Sequence, residues 1–117
     1  MTKVIIAGGR DFNNYELLKE KCDKILSSID DRIMIVSGCS LGADSLGERY
    51  ANEREYLLAY YPVNWRLYGA GGGPVRNREM VDYADALIAF WDEKSKGTAH
   101  TIRLAEKKGI PTRVIKY

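Results

Sequence analysis

The chain lacks any long apolar run. No stretch approaches the roughly 20 residues that a membrane-spanning helix needs, and the apolar run near the N-terminus, Val4–Ala7, has only four residues. We therefore expect neither a membrane span nor a secretory signal peptide, and no contact with a membrane. The expected location is the cytoplasm.

Cysteine and histidine are also scarce. The chain has two cysteines, Cys22 and Cys39, and one histidine, His100. Two cysteines fit a reducing compartment. A structural zinc site usually takes four Cys or His ligands, which these three residues cannot supply alone. We predict no metal site and no required cofactor.

No excess of charge of one sign is present. The 18 basic and 16 acidic residues give a formal net charge of +2. A near-neutral balance does not indicate a basic face for a polyanion, so we do not expect nucleic acid as a partner. With 117 residues, the chain has the length of a single domain, covering residues 1–117.

Apolar periodicity predicts alternating strands and helices along the whole chain. The five predicted strands are Lys3–Ala7, Ile33–Ser37, Tyr56–Tyr61, Ala86–Trp91 and Thr112–Ile115. The four predicted helices are Asn14–Ile29, Ala43–Arg54, Pro74–Tyr83 and Thr98–Lys108. One long loop, Pro62–Gly73, separates the third strand from the third helix.

This alternation predicts an α/β fold. Strands separated by helices of this length run parallel, with right-handed crossovers. The expected architecture has three layers, a doubly wound five-stranded parallel sheet with helices on both faces and the Rossmann-like strand order 3-2-1-4-5. In such a sheet, ligands bind at the carboxyl ends of the strands where the order reverses, here between strands 1 and 4.

Four glycine-bearing loops converge on that edge. The loop before the fourth helix reads SKGT, Ser95–Thr98, and its hydroxyls and helix N–H groups can bind phosphate oxygens. Arg10 can pair with a phosphate, and Asp11 can accept a ribose hydroxyl. The predicted ligand-binding residues, all in or beside these loops, are Gly8, Gly9, Arg10, Asp11, Ser37, Gly38, Gly42, Asp44, Arg76, Asn77, Ser95, Lys96, Gly97 and Thr98.

Each loop taken alone also has a structural explanation. Glycines after strands often serve only as turn residues. Asp44 and Asp92 suit a helix terminus or a turn, and Arg10 and Arg76 suit a solvated surface. The GCSLGAD loop is not a Walker A motif, and GAGGGP does not match the dinucleotide fingerprint because Pro74 occupies the last glycine position.

Taken together, four motifs in order carry a more specific signal. AGGRDF, SGCSLGAD, GPVRNREM and FWDEKSKGTAHTI follow one another along nearly the whole chain. Their combination resembles the YspA-like branch of the SLOG superfamily, whose members are compact Rossmann-like domains. That resemblance implies a site for a nucleotide or a nucleotide derivative, and a homo-oligomer with an interface that we place at the third helix and the preceding loop.

The same resemblance bears on catalysis. The related Lonely-guy phosphoribohydrolases carry the fingerprint PGGxGTxxE, in which Gly-Thr holds phosphate and the glutamate assists hydrolysis. Here Gly97 and Thr98 match, but Thr101 stands at the glutamate position and the prolyl-glycyl start is absent. A threonine cannot act as a carboxylate acid or base, so the resemblance implies phosphate binding without the usual hydrolysis.

Three functions follow from these observations. The first is binding of a nucleoside monophosphate or an NAD- or ADP-ribose-like molecule by a sensor, carrier or sequestering protein. The second is hydrolysis of an N-glycosidic or phosphate bond, with Asp44 or Asp92 as the catalytic residue and Arg76 bracing charge. The third is binding of single-stranded nucleic acid, as in DprA, a SLOG relative. Its candidate basic and aromatic residues are Trp65, Arg66, Arg76, Arg78 and Arg103.

Overall fold

The computed structural model describes every residue from Met1 to Tyr117. Its five strands pair in parallel in the order β3-β2-β1-β4-β5, which confirms the predicted topology. The strands are β1 Thr2–Gly8, β2 Ile33–Ser37, β3 Leu57–Tyr60, β4 Ala86–Trp91 and β5 Thr112–Lys116. The helices are α1 Tyr15–Leu26, α2 Ala43–Glu53, α3 Trp65–Tyr68, α4 Gly72–Tyr83 and α5 Lys96–Lys108.

Alternate residues of β1 point to opposite faces of the sheet, and each face carries its own core. Val4 and Ile6 pack with residues of α1 and α2, whereas Ile5 and Ala7 pack with residues of α4 and α5. All four side chains are buried. This two-sided burial explains why the central strands read as nearly continuous apolar runs, and it produces the predicted three layers.

The segment between β3 and α4 differs from the predicted open loop. Trp65–Tyr68 forms a short helix, and a 3₁₀ turn at Gly69–Gly71 connects it to α4. The Asn64 side chain accepts a hydrogen bond from the Leu67 N–H at 3.0 Å, which caps this turn. A helix this short has no apolar repeat, so periodicity did not indicate it.

Cap residues explain the differences at the starts of α1 and α5. The Asn14 side chain accepts from the Leu17 N–H and so caps α1, which begins at Tyr15 and ends at Leu26. Ser95 caps α5, which begins at Lys96, two residues before the predicted start. The boundaries follow these hydrogen bonds rather than the apolar residues on which the prediction relied.

The turn after β1 is fixed at the cleft edge by backbone hydrogen bonds to β4 and to the start of α2. The Gly9 N–H donates to the Phe90 carbonyl at 3.1 Å, and the Gly9 carbonyl accepts from the Ala43 N–H at 3.2 Å. Gly42 has φ +75°, and a Cβ there would lie 2.2 Å from the Gly9 carbonyl oxygen. Glycine is therefore required at 42 for the turn after β1 to pack against the start of α2.

Candidate functional site

A cleft of about 420 Å³ opens at the carboxyl ends of β1 and β4, beside the strand at which the sheet order reverses. We call it the polar lobe, because Ala7 and Met80 are its only apolar lining residues. Its lining residues are Ala7, Gly8, Gly9, Arg10, Asp11, Ser40, Asp44, Arg76, Asn77, Met80, Asp92, Ser95, Gly97, Thr98 and Thr101.

Arg10 and Thr98 both line the polar lobe, so the turns after β1 and β4 lie side by side as the sequence predicts. The Arg10 side chain is exposed, and it makes no hydrogen bond or ion pair within the chain. A guanidinium without an internal partner at the mouth of a polar cleft is available to an anion.

The SKGT loop is held by its own side chains. The Asp92 carboxylate accepts from the N–H groups of Lys94 at 2.9 Å and Ser95 at 2.8 Å. The Ser95 hydroxyl accepts from the Thr98 N–H at 3.4 Å and lies 3.0 Å from the Thr98 hydroxyl. The N–H groups of Lys96 and Gly97, in the first turn of α5, have no acceptor within the helix. They remain available to a ligand.

The two carboxyl groups proposed for catalysis have opposite environments. Burial raises the pKa of Asp44 to about 6, against the lowering effect of the Ser40 N–H and of Arg76. The N–H groups of Ser95 and Lys94 instead lower the pKa of Asp92. Asp44 therefore takes up its proton in mildly acidic solution, as a general acid can, whereas Asp92 is an ionised turn residue.

A third carboxylate, Asp11, is already partnered. The Tyr117 hydroxyl donates to it at 2.6 Å, and burial together with this carboxylate raises the pKa of Tyr117. The Tyr117 ring packs edge-on against Phe12, with ring centroids 4.8 Å apart. Asp11 is thus held in place at the rim of the cleft, with its second oxygen free to accept from a ligand.

Arg76 is fixed by the polar groups around it. Its Nε donates to Asn77 Oδ1 at 2.9 Å, and its Nη1 donates to the Gly38 carbonyl. This leaves the Asn77 amide N–H₂ directed at His100 Nδ1, 3.2 Å away. Since Nδ1 then accepts, the His100 proton resides on Nε2. Burial, with Arg78 and Arg103, lowers the pKa of His100 and favours this neutral ring.

A second cavity of about 650 Å³ continues from the first. We call it the apolar lobe, because Leu41, Val63 and Trp65 give it far more apolar surface. The two lobes share Arg10, Ser40, Arg76, Asn77 and Gly97 as lining residues. They therefore form one groove with Arg76 between its halves.

Most of the predicted ligand-binding residues line this groove, but two do not. Ser37 is buried, and its hydroxyl donates to Glu48 at 2.5 Å. Gly42 acts in loop packing. Those in the polar lobe are Gly8, Gly9, Arg10, Asp11, Asp44, Arg76, Asn77, Ser95, Gly97 and Thr98. Those that line only the apolar lobe are Gly38 and Lys96.

Some lining residues were not predicted. Ser40 lies in the SGCSLGAD motif, and Thr101 lies one helical turn after Gly97, whose carbonyl accepts from the Thr101 hydroxyl at 3.1 Å. Helical spacing from Gly97 was the signal that could have found Thr101. Trp65, which the sequence suggests only as an aromatic candidate for nucleic-acid binding, lines the apolar lobe. Only the short helix α3 places it there.

None of the helices is both long enough and apolar enough to cross a membrane. The structure contains no group of three or more His, Cys, Asp or Glu side chains arranged to hold a metal ion.

Comparison with known proteins identifies relatives. A model of the YspA, cpYpsA-related SLOG family matches residues 2–68. The gene 61 protein of Mycobacterium phage D29 is 32% identical over 117 residues, covering 95% of this chain and 94% of the relative.

Two solved structures share the fold over 97% of this chain. DNA processing protein A (DprA) from Streptococcus pneumoniae has a TM-score of 0.74 at 19% identity, and this chain covers 50% of it. DNA processing protein A from Helicobacter pylori has a TM-score of 0.66 at 23% identity, with 64% covered. The chain therefore spans between half and two thirds of the length of these proteins.

One expectation is wrong. We did not expect nucleic acid as a partner, but the H. pylori protein that shares this fold is described for its unique single-stranded DNA binding mode. The prediction failed because it used the net charge of the whole chain. Nucleic-acid binding depends on where charges are gathered on one face, and a net charge averages that information away.

Proposed function

The chain belongs to the YspA, cpYpsA-related SLOG family, and from that premise we propose that its groove binds a phosphorylated nucleoside. The observation that carries the proposal is the convergence of cationic and N–H donors without internal partners in one groove. Arg10 lacks a partner, and the N–H groups of Lys96 and Gly97 face no acceptor in α5. A phosphate oxygen is the acceptor that suits this set of donors.

The carboxylates of the polar lobe have donors within the chain. Asp92 accepts from two backbone N–H groups, and one oxygen of Asp11 accepts from the Tyr117 hydroxyl. Burial raises the pKa of Asp44 to about 6, which reduces its negative charge in mildly acidic solution. Carboxylate and amide oxygens of Asp11, Asp44 and Asn77 are the kind of groups that hold ribose hydroxyls. The cleft thus offers donors for the phosphate and acceptors for the sugar.

Calorimetric titration with AMP, ribose 5-phosphate and adenosine tests this proposal. We expect AMP and ribose 5-phosphate to bind and adenosine to bind far more weakly. Arg10→Ala should weaken AMP binding about tenfold or more, the size of a lost charge-assisted hydrogen bond. Arg113→Ala is the matched control, because Arg113 is also exposed and lines neither lobe. Equal binding of AMP and adenosine would contradict the proposal.

Single-stranded DNA binding is the second candidate. It is favoured by the H. pylori structure with the same fold and by the continuity of the two lobes, which form an open groove. Arg10, Arg76 and Lys96 line this groove together with the exposed indole of Trp65. Cations along a groove with an aromatic side chain are typical of proteins that bind single strands.

Fluorescence anisotropy with a labelled oligothymidylate measures this activity. The second candidate requires binding that weakens steeply between 50 and 200 mM salt, because phosphate contacts release counterions. It also requires the oligonucleotide to bind more tightly than AMP at equal salt. An anisotropy that stays unchanged up to the solubility limit of the protein would eliminate it.

We also propose a cytoplasmic homo-oligomer. The free thiols of Cys22 and Cys39 suit a reducing compartment. Leu67 and Tyr68, in the segment before α4, are 67% and 45% exposed, which leaves apolar surface for a second copy. Light scattering on the purified chain tests the assembly, and a monomer at high concentration would contradict it.

A further inference from the structure

The two halves of the groove differ in chemistry. The polar lobe has Ala7 and Met80 as its only apolar lining residues. The apolar lobe presents the side chains of Leu41, Val63 and Trp65. A ligand that crosses from one lobe to the other must therefore be polar and anionic at one end and apolar at the other.

Trp65 is held so that its indole remains available. It begins the Asn64-capped helix α3, and the Gly69 N–H donates to the Trp65 carbonyl, which closes the turn. A Cβ on Gly72 would lie 3.6 Å from the indole Cε3, so this helix start packs beside the ring. The residue nevertheless remains 57% exposed. A large aromatic surface is thus fixed at one edge and open toward the cavity.

The junction of the lobes carries fixed polar groups. Arg76 is bound to Asn77 and to the Gly38 carbonyl, and Asn77 in turn contacts His100. The hydrogen bonds of this chain set the proton on His100 Nε2, which leaves a ring N–H donor in the lining of the apolar lobe. The apolar lobe therefore offers the Trp65 indole as a stacking surface and the His100 ring N–H as a hydrogen-bond donor.

We propose that the apolar lobe is a nucleobase subsite, in which Trp65 stacks on the base of a ligand whose phosphate and sugar occupy the polar lobe. This inference rests on the proposed function and makes its ligand class more specific. The ligand class narrows to molecules that carry both an aromatic base and a phosphate. A sugar phosphate fills only the polar lobe, and His100 and Lys96 lie where they can meet the edge of the base.

The experiment compares AMP with ribose 5-phosphate on three variants of the full chain. Trp65→Ala should weaken AMP binding about tenfold or more, the range measured for base stacking on aromatic side chains, and leave ribose 5-phosphate binding unchanged. Trp65→Phe should retain most of the AMP affinity, which separates stacking from a loss of folding. Tyr60→Ala is the matched control, because Tyr60 has the same 57% exposure and lines neither lobe.

The outcomes separate the two proposals. If AMP and ribose 5-phosphate both bind the wild type with equal affinity, or if Trp65→Ala leaves AMP binding intact, the nucleobase subsite is overturned while the proposed function stands. If neither probe binds the wild type, the proposed function fails and the subsite fails with it. A selective loss of AMP in Trp65→Ala supports both.

Discussion

Asp44 is a charged residue placed where the fold disfavours its charge. It is 5% exposed, and burial raises its pKa from the ordinary 3.8 to about 6. Between these two values the folded chain keeps the Asp44 proton while the unfolded chain has released it. The contribution of Asp44 to folding stability therefore falls as the pH rises from about 4 to 6.

Asp44→Asn should remove that pH dependence. In the wild type the Ser40 N–H donates to the Asp44 carboxylate at 3.1 Å. The side-chain oxygen of asparagine can accept the same hydrogen bond, but asparagine carries no charge. The variant should be about 1–3 kcal/mol more stable than the wild type above pH 6, with the difference vanishing below about pH 4. Denaturant unfolding across this pH range measures it.

Asp31→Asn is a control, because Asp31 contributes to folding stability with the opposite dependence on pH. The N-terminal ammonium and the Thr2 hydroxyl lower the pKa of Asp31, so this carboxylate stabilises the fold at neutral pH and loses that effect as the pH falls. An Asp44→Asn variant whose stability follows the wild-type curve at every pH would show that burial does not disfavour the Asp44 charge.

Gly97 separates folding from ligand binding. A Cβ built on Gly97 meets nothing within 4 Å, and Gly97 lines both lobes. Gly97→Ala should therefore leave the free energy of unfolding unchanged, or raise it by less than about 1 kcal/mol through helix propensity. The added methyl group would occupy space beside the proposed phosphate position, so AMP affinity should fall about tenfold.

Gly109→Ala is the contrasting variant, measured by the same thermal denaturation and AMP titration. Gly109 ends α5 at φ +85°, where an alanine is strained and should cost about 1 kcal/mol of stability. Because Gly109 lines neither lobe, AMP affinity should be unchanged. If Gly97→Ala binds AMP as the wild type does, phosphate does not approach the start of α5.

The start of α5 serves the fold and the site together. Ser95 caps the helix, while Asp92 and Trp91 hold the loop that leads into it: the Trp91 indole N–H donates to the Ser95 carbonyl at 3.1 Å. The element thus presents its first N–H groups in a fixed direction before any ligand arrives. Preorganised donors of this kind lose little entropy on binding.

Two substitutions at Ser95 distinguish these roles. Ser95→Ala removes the cap and should cost about 1 kcal/mol of stability. Ser95→Asp keeps an acceptor for the Thr98 N–H and should preserve stability, yet its negative charge beside the proposed phosphate position should reduce AMP affinity at least tenfold. Thermal denaturation measures the stability of each variant, and calorimetry measures its AMP affinity. Asn14→Ala removes the cap of α1, far from the groove, and is the control for the loss of a cap alone. Tight AMP binding by Ser95→Asp would place the anion elsewhere.

The groove is part of the same sheet that carries both cores. Its walls come from the turns after β1, β2 and β4, from the segment after β3 and from α4 and α5, and the two cores meet across β1. A ligand bound only by the folded chain stabilises the whole molecule by mass action. AMP at 100 times its dissociation constant should therefore add about 2.7 kcal/mol to the free energy of unfolding.

For a chain of this length, that increment raises the melting temperature by roughly 10 °C. Differential scanning fluorimetry with AMP, and with adenosine at the same concentration as the control, measures it. A melting temperature that AMP leaves unchanged at saturating concentration, or that adenosine raises equally, contradicts a phosphate-dependent site.

Local patterns along the chain were enough to predict the architecture and the edge of the sheet on which the candidate site lies. Apolar periodicity identified the five strands and four principal helices, and connection length with crossover handedness yielded the strand order. The glycine-bearing turns after β1 and β4 then had to meet, because parallel strands end on one edge. These features depend on short-range spacing, which a single sequence records.

Long-range packing assigned the individual roles. Ser37 was predicted to bind ligand, but Glu48, eleven residues away, takes its hydroxyl. The raised pKa of Asp44 likewise arises from burial by residues that are distant along the chain. Such effects come from groups brought together by folding, and no spacing within one loop records them. The apolar pattern of the sequence thus determines the order and direction of the strands. The chemistry of each side chain in the groove depends instead on the residues that the folded sheet places next to it.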